Sequence, residues 1–253
     1  MTVESIDDGD VQVEVRDRVA VVSINRPAKK NALTQLMYGT LADAISQADG
    51  GDDVGALVIT GTDGMFTAGN DLGDFASGGS LDETVRFLRA ISTARVPLVA
   101  AVSGMAVGVG LTMLLHCDLV YVEPTATLFV PFVELGLVPE AASSLLLPKV
   151  VGERRASELL LSGRRISGTE AAEWGLANAA VSPALDEALT AASRLAAQPP
   201  NAVKSTKALL RSNETTVEGR MTEEMKEFVT ALKGSEFAEV MAARAEKRAP
   251  VFI

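Results

Sequence analysis

The chain has 253 residues, 47% of them hydrophobic and 22% charged, with a formal net charge of −10. Such a composition suits a globular protein with one substantial core and a small appended module. Its acidity argues against a general nucleic-acid binder, which needs a basic face to displace counterions from phosphates, although a few local N–H groups can still hold a phosphate-bearing ligand.

A single cysteine, Cys117, and a single histidine, His116, leave no intrachain disulfide and no zinc spacing, so no metal is expected. Met1 to Asp10 is acidic without an apolar run, so no leader is expected there. No apolar stretch approaches the ~20 residues of a membrane helix. The closing residues Pro250-Val251-Phe252-Ile253 differ from a peroxisomal address. A cytoplasmic protein with no membrane partner is the simplest expectation.

In chain order, Val11, Val13 and Val15 alternate with polar residues, Asp17-Arg18 can turn the chain, and Val19 to Ile24 continues as a strand. Pro27 to Asn31 reads as a loop, and Ala32 to Ala48 has helical spacing. Strands follow at Ala56 to Thr60, Pro97 to Val102, Leu119 to Val122 and Leu128 to Val130, with a helix-like stretch at Leu111 to Leu115. Phe75 to Leu81 is a Gly/Ser-rich loop, expected to be mobile. Beyond Val150 helices dominate. Ser167 and Glu170 form a capping box before Ala171 to Trp174. Ser182-Pro183 is expected to place a cap and a first-turn proline at Leu185 to Ala197. Gln198-Pro199-Pro200 links to helices at Ala202 to Leu210, Val217 to Lys233 and Ser235 to Lys247. The class is α/β with a helical tail, dividing at 1–197 and 198–253.

Two glycine-rich turns follow apolar strands: Gly64 to Leu72, and Ser103 to Gly110. Small residues let a backbone approach a ligand and aim N–H groups at an oxyanion. The second turn also opens a helix, adding the favourable end of its dipole. It mimics a dinucleotide turn, but it lies a hundred residues into the chain. The paired Tyr-x-x-x-Lys is absent too, since Tyr38 is followed by Ala42 and Tyr121 by Thr125.

The joint landmarks are Asn25-Arg26-Pro27 with Asn31-Ala32-Leu33, Phe66 to Leu72, Gly104 to Gly110 before Cys117-Asp118, Leu135 to Pro139, Trp174-Gly175-Leu176, and Glu246-Lys247-Arg248 before Pro250 and Phe252. In this order the chain resembles the crotonase (enoyl-CoA hydratase/isomerase) superfamily along essentially its whole length. The resemblance implies a crotonase-like spiral of ββα units and a C-terminal helical trimerisation region, in a homotrimer or dimer of trimers. It implies an acyl-CoA thioester substrate, with coenzyme A part of the substrate and no separate cofactor. The implied oxyanion-hole donors are the N–H groups of Ala68 and Val109. Arg26, Ala28, Lys30 and the loop residues Ala68, Gly69, Asn70 and Asp71 are placed at the nucleotide end. Leu72, Gly108, Val109 and Phe132 are further implied substrate contacts, and Lys247 is an implied phosphate contact from this or a neighbouring subunit.

Family hydratases use two glutamates, and this chain has Thr112 and Phe132 at those places. Neither can act as a carboxylate base. Glu140 instead stands in a Pro-Phe … Leu-Gly … Pro-Glu … Ser-Ser pattern, which resembles peroxisomal-type Δ3,Δ2-enoyl-CoA isomerases and their bacterial relatives. That likeness implies a base removing a proton from C2 and returning it at C4, in an apolar pocket floored by Phe132 that raises its pKa. Without the likeness, Glu140 would read as a solvated first-turn glutamate. Glu134 is the rival acid, for a hydratase, lyase or hydrolase of the same fold, and a non-catalytic CoA-thioester-binding protein is a further alternative. Asp71 is expected to order its loop through local backbone bonds. His116 is read as packing rather than as a pair with Cys117, because adjacent helical residues diverge.

Overall fold

A computed structural model describes residues 9–51, 53–76, 80–213 and 215–252. Strands β1 (Val11–Arg16) and β2 (Val19–Ile24) form an antiparallel hairpin. Its two connecting residues both take positive φ, Asp17 at 49° and Arg18 at 64°, which matches the twist of the flanking strands. Helix α1 (Gln35–Gly50) opens on Thr34, whose hydroxyl accepts the Met37 N–H at 3.3 Å.

Strands β3 (Ala56–Gly61), β4 (Leu98–Val102), β6 (Leu119–Val122) and β9 (Ala179–Ala180) extend the sheet in the order β1-β2-β3-β4-β6-β9, parallel from β2 onward. The register puts Val22, Ile59, Ala100 and Val120 in one cross-strand row, all inside the main core with α1. The next row, Val21, Val58, Val99 and Leu119, faces the opposite side. There Ala188, Ala192 and Ala196 of α8 (Ala184–Ala196) cover it. Both faces are buried, which explains why these strands read as continuous apolar runs.

A second layer collects the strands that follow the first. After β4 comes β5 (Met105–Val107), and after β6 comes β7 (Thr127–Phe129), which pairs with β5 and with β8 (Ile166–Ser167). Bridges Leu33↔Asn70 and Thr67↔Ala106 continue this layer toward the start of the chain. Each passage therefore contributes one strand to the large sheet and one extended segment to the small layer. This is the spiral of ββα units. The remaining helices are α2 (Leu72–Ala76), α3 (Asp82–Thr93), α4 (Val109–Thr112), α5 (Ser143–Val151), α6 (Glu153–Ser162), α7 (Gly168–Glu173), α9 (Pro200–Arg211), α10 (Val217–Leu232) and α11 (Ser235–Glu246).

Some expectations shift. The stretch expected as one helix at 111–115 is α4 followed by a 3-10 turn, Met113–His116, so it starts two residues earlier at the glycine turn. Ser167 and Glu170 do form the reciprocal capping box, but α7 begins at Gly168. Pro183 is the residue before α8, not its first helical residue, and Ser182 lies outside the cap. The Ala184 N–H is instead accepted by the Glu123 carboxylate at 3.0 Å, a cap supplied from the end of β6. Of the expected loop Phe75 to Leu81, residues 77–79 lie outside the described residues, and its flanks enter α2 and precede α3. No helix among the described residues is long and apolar enough to cross a membrane.

The C-terminal helices leave apolar side chains in the open. Met221, Met225 and Phe228 of α10 are each at least 60% exposed, beside a groove of about 930 Å³ against α9. One buried ion pair ties α9 to the sheet. Lys207 donates to the Asp118 carboxylate and to the Val96 carbonyl, each at 2.6 Å, and Arg211 reaches the other Asp118 oxygen at 3.1 Å. Burial pulls the Lys207 amine below its ordinary pKa, opposed by Asp118. Lys207→Met is expected to cost about 2 kcal/mol in urea unfolding, below the usual range for breaking a buried pair because Asp118 keeps Arg211.

Candidate active site

Two loops of the small layer meet edge to edge. Thr67 N–H donates to the Met105 carbonyl at 2.9 Å, and Val107 N–H donates to the Thr67 carbonyl at 3.1 Å. Gly69, at φ 89°, lies against Val107, whose oxygen would be 2.7 Å from any added Cβ. Gly110 lies against Thr67, whose Cγ2 would be 2.6 Å from one. Side chains at either position would push the loops apart.

The pairing decides which main-chain donors remain. Ala68 N–H is given to the Lys30 carbonyl at 3.0 Å, Gly69 N–H to the Thr67 hydroxyl at 3.1 Å, and Asp71 N–H to the Leu33 carbonyl at 2.8 Å. In the parallel bridge with Leu33, the Asn70 N–H faces away from its partner strand. Val109 opens α4, where an N–H has no intrahelical acceptor. The N–H groups of Asn70 and Val109 have no acceptor among the described residues, and both residues line a cavity of about 510 Å³. Ala68, Gly69, Gly108, Phe132 and Leu137 also line it. Two fixed donors beside an apolar cavity suit an oxygen that gains negative charge.

Glu140 is half-buried and is not among the residues that line this cavity. Its Oε1 accepts a hydrogen bond from the Thr112 hydroxyl, one turn of α4 beyond Val109. Thr112 also lies 3.4 Å from the Val109 carbonyl, so its hydroxyl has an acceptor whether Glu140 is charged or neutral. Glu140 Oε2 is buried with no partner among the described residues. Burial raises the Glu140 pKa above the ordinary carboxylate value, and the Thr112 bond opposes that rise. Nearby, buried Tyr38 donates its hydroxyl to Asn70 Oδ1. Burial and then the Glu140 charge hold that phenol well above its usual pKa. Tyr38 is therefore a neutral brace that steadies Asn70.

The enoyl-CoA hydratase/isomerase family model matches residues 14–253. The chain belongs to this family. A Mycobacterium leprae protein named as a probable enoyl-CoA hydratase is 33% identical over 249 residues, covering 96% of this chain and 97% of its own. Rat enoyl-CoA delta isomerase 2 is 36% identical over 207 residues, covering 78% of this chain and 53% of the rat protein. Among solved structures, a Magnetospirillum magneticum AMB-1 protein named as a candidate enoyl-CoA hydratase/carnithine racemase superposes with a TM-score of 0.91. It is 43% identical and covers 97% of this chain and 99% of its own. The protein is thus an acyl-CoA-binding enzyme of the crotonase fold.

Within that family frame, several expected residues stand differently. Ala68 lines the cavity but its N–H is already spent on Lys30, so the free donor of the first loop is Asn70. Asn70 was expected only as a ligand contact. The signal available in the sequence was Gly69, whose left-handed turn reorients the following peptide. Arg26 is a brace rather than an open cation. Its guanidinium donates to Asp71 at 2.7 Å and to the Ala32 carbonyl at 3.0 Å. Asp71 in turn accepts the Gly73 and Asp74 N–H groups, ordering its loop as expected, and the Arg26 bond first, then these, hold its carboxyl below the usual range.

Ala28 and Lys30 are exposed on the 3-10 turn beside Lys29, and it is Lys29 that reaches the cavity wall. Leu72 lines the cavity rim. Phe132 forms part of the wall, 4.0 Å from where a Cβ on Gly108 would lie. Glu134 is exposed and leans on Gly163 at the end of α6, outside the cavity lining. Lys247 ends α11 in a left-handed conformation, also outside that lining. Cys117 is no nucleophile, because burial pushes its thiol up to about 12.

Gly69→Ala is expected to lower turnover on the order of 10²-fold, as loss of one preorganised donor does. Steady-state kinetics, with a thermal melt to confirm folding, measures this.

Proposed function

We propose that this enzyme shifts a 3-enoyl-CoA to the conjugated 2-trans-enoyl-CoA through an enolate, with Glu140 as its single base. The carrying observation is the buried Glu140 Oε2, without a partner among the described residues, on a carboxylate held by Thr112 of the helix that Val109 opens. The thioester oxygen would accept the N–H groups of Asn70 and Val109 as the Glu140 carboxylate removes a C2 proton. The same carboxyl then returns a proton at C4, giving the conjugated product with no net gain or loss of atoms. A raised pKa suits both halves, since the group must first accept and then release the proton. Conjugation supplies the thermodynamic pull.

Hydration of a 2-enoyl-CoA, or another lyase or hydrolase chemistry, is the second reading. One observation favours it: a relative matched over its full length carries a hydratase name. Thr112 and Phe132 weigh against it, as does the exposed placement of Glu134. A binding protein without chemistry would have no reason to keep a carboxylate oxygen buried and unpartnered, because that costs stability. A homotrimer or dimer of trimers, covering the apolar face of α10, completes the proposal.

Glu140→Ala is expected to reduce isomerisation at least about 10³-fold while acyl-CoA binding, followed by calorimetry, persists. Full activity in that variant refutes the assignment. In the pH–rate profile, kcat/KM falls as acid protonates the base. The raised Glu140 pKa places this acid limb above the ordinary carboxylate range. Thr112→Val removes the hydrogen bond that lowers the pKa, so the limb moves further up; a downward shift contradicts the account.

A further inference from the structure

We infer that His116 is a positioning residue for Glu140, acting through its Nε2–H bond to the carbonyl of Ala141. The inference rests on the reading of Glu140 as the base. Immediately after Glu140, Ala141 and Ala142 both adopt left-handed backbone, at φ 53° and 54°. Two successive alanines in this region are disfavoured by their Cβ atoms, and they persist only where the surroundings hold them.

Two residues supply that hold. Ser143 donates its N–H at 3.0 Å and its hydroxyl at 2.7 Å to the Glu140 carbonyl. His116 Nε2 lies 2.8 Å from the Ala141 carbonyl. A carbonyl only accepts, so the ring must carry its proton on Nε2. Burial lowers the His116 pKa, which favours this neutral donor.

His116 is itself anchored. Its own carbonyl accepts Arg211 of α9 at 2.6 Å, and the residue is buried. Thr112 and His116 are four residues apart on the run formed by α4 and its 3-10 turn. Thr112 grips the carboxylate of Glu140 while His116 grips the peptide that follows it. One short run of chain therefore fixes both the head and the base of the catalytic side chain. It is also the run that begins with the Val109 donor, so one segment holds both base and donor.

The test pairs two variants with a spectrum. His116→Gln retains an N–H donor, and His116→Leu retains bulk without one. On the reaction that Glu140→Ala abolishes, the leucine variant should lose on the order of 10²-fold in kcat, as expected for a misplaced catalytic group, with KM nearly unchanged. The glutamine variant should keep kcat within about fivefold. Wild-type kcat in His116→Leu, or equal damage in both variants, overturns the inference.

Because His116 is the single histidine of the chain, ¹⁵N-histidine spectra of the unaltered enzyme report its tautomer directly. A neutral Nε2–H ring at pH 7 is expected, and an Nδ1–H or doubly protonated ring overturns the inference even where variants fail to fold. Failure of the isomerase reading shows separately, as turnover that survives Glu140→Ala.

Discussion

A carboxylate taken out of water with one oxygen left unpaired is the constraint around which this active site is organised. Glu140 Oε1 is satisfied by Thr112, and Oε2 has no partner among the described residues. Desolvation favours the neutral acid and so makes the charged form a stronger base than an exposed glutamate. The rest of the fold offsets the cost of this arrangement and of the left-handed turn at Ala141-Ala142. Strain of this kind concentrates at functional sites because only a rigid surround can maintain it.

The rigid surround is the spiral. Its large sheet is covered on both faces, and its small layer places one loop from each of two successive passages side by side. Close contacts at Gly69 and Gly110 set the spacing of those loops. Hydrogen-bond accounting then leaves the Asn70 and Val109 donors unspent. Val109 has a side chain at a position where only the N–H is required, and it lines the cavity beside the donors.

Much of this was legible from residues alone. The β-branched runs of β2, β3, β4 and β6 read correctly because they are buried on both faces, and the Ser167–Glu170 capping box is a purely local signal. Helix α3 went unread in the sequence, although Phe87, Leu88 and Ile91 share one face and Asp82 and Glu83 stand in its first turn. The cap of α8 was misread because its acceptor, Glu123, comes from 61 residues away. Ala68 was placed as a donor through family likeness, and the sequence does not tell which N–H the fold consumes. Arg26 was placed at the nucleotide end in the same way, and its partners Asp71 and Ala32 meet it only in the folded chain. Glu140 was found through family likeness, whereas Tyr38, Thr112 and His116 became partners of the site only once distant segments were brought together.

The most direct measurement of the central claim follows a deuterium label. A 3-enoyl-CoA carrying deuterium at C2 is turned over in ordinary water, and the product is read by mass spectrometry and NMR. A single buried carboxyl that carries the proton from C2 to C4 predicts 2-trans-enoyl-CoA with part of the label retained at C4. Loss of all label to solvent, or accumulation of a 3-hydroxyacyl-CoA in place of the conjugated product, would contradict it.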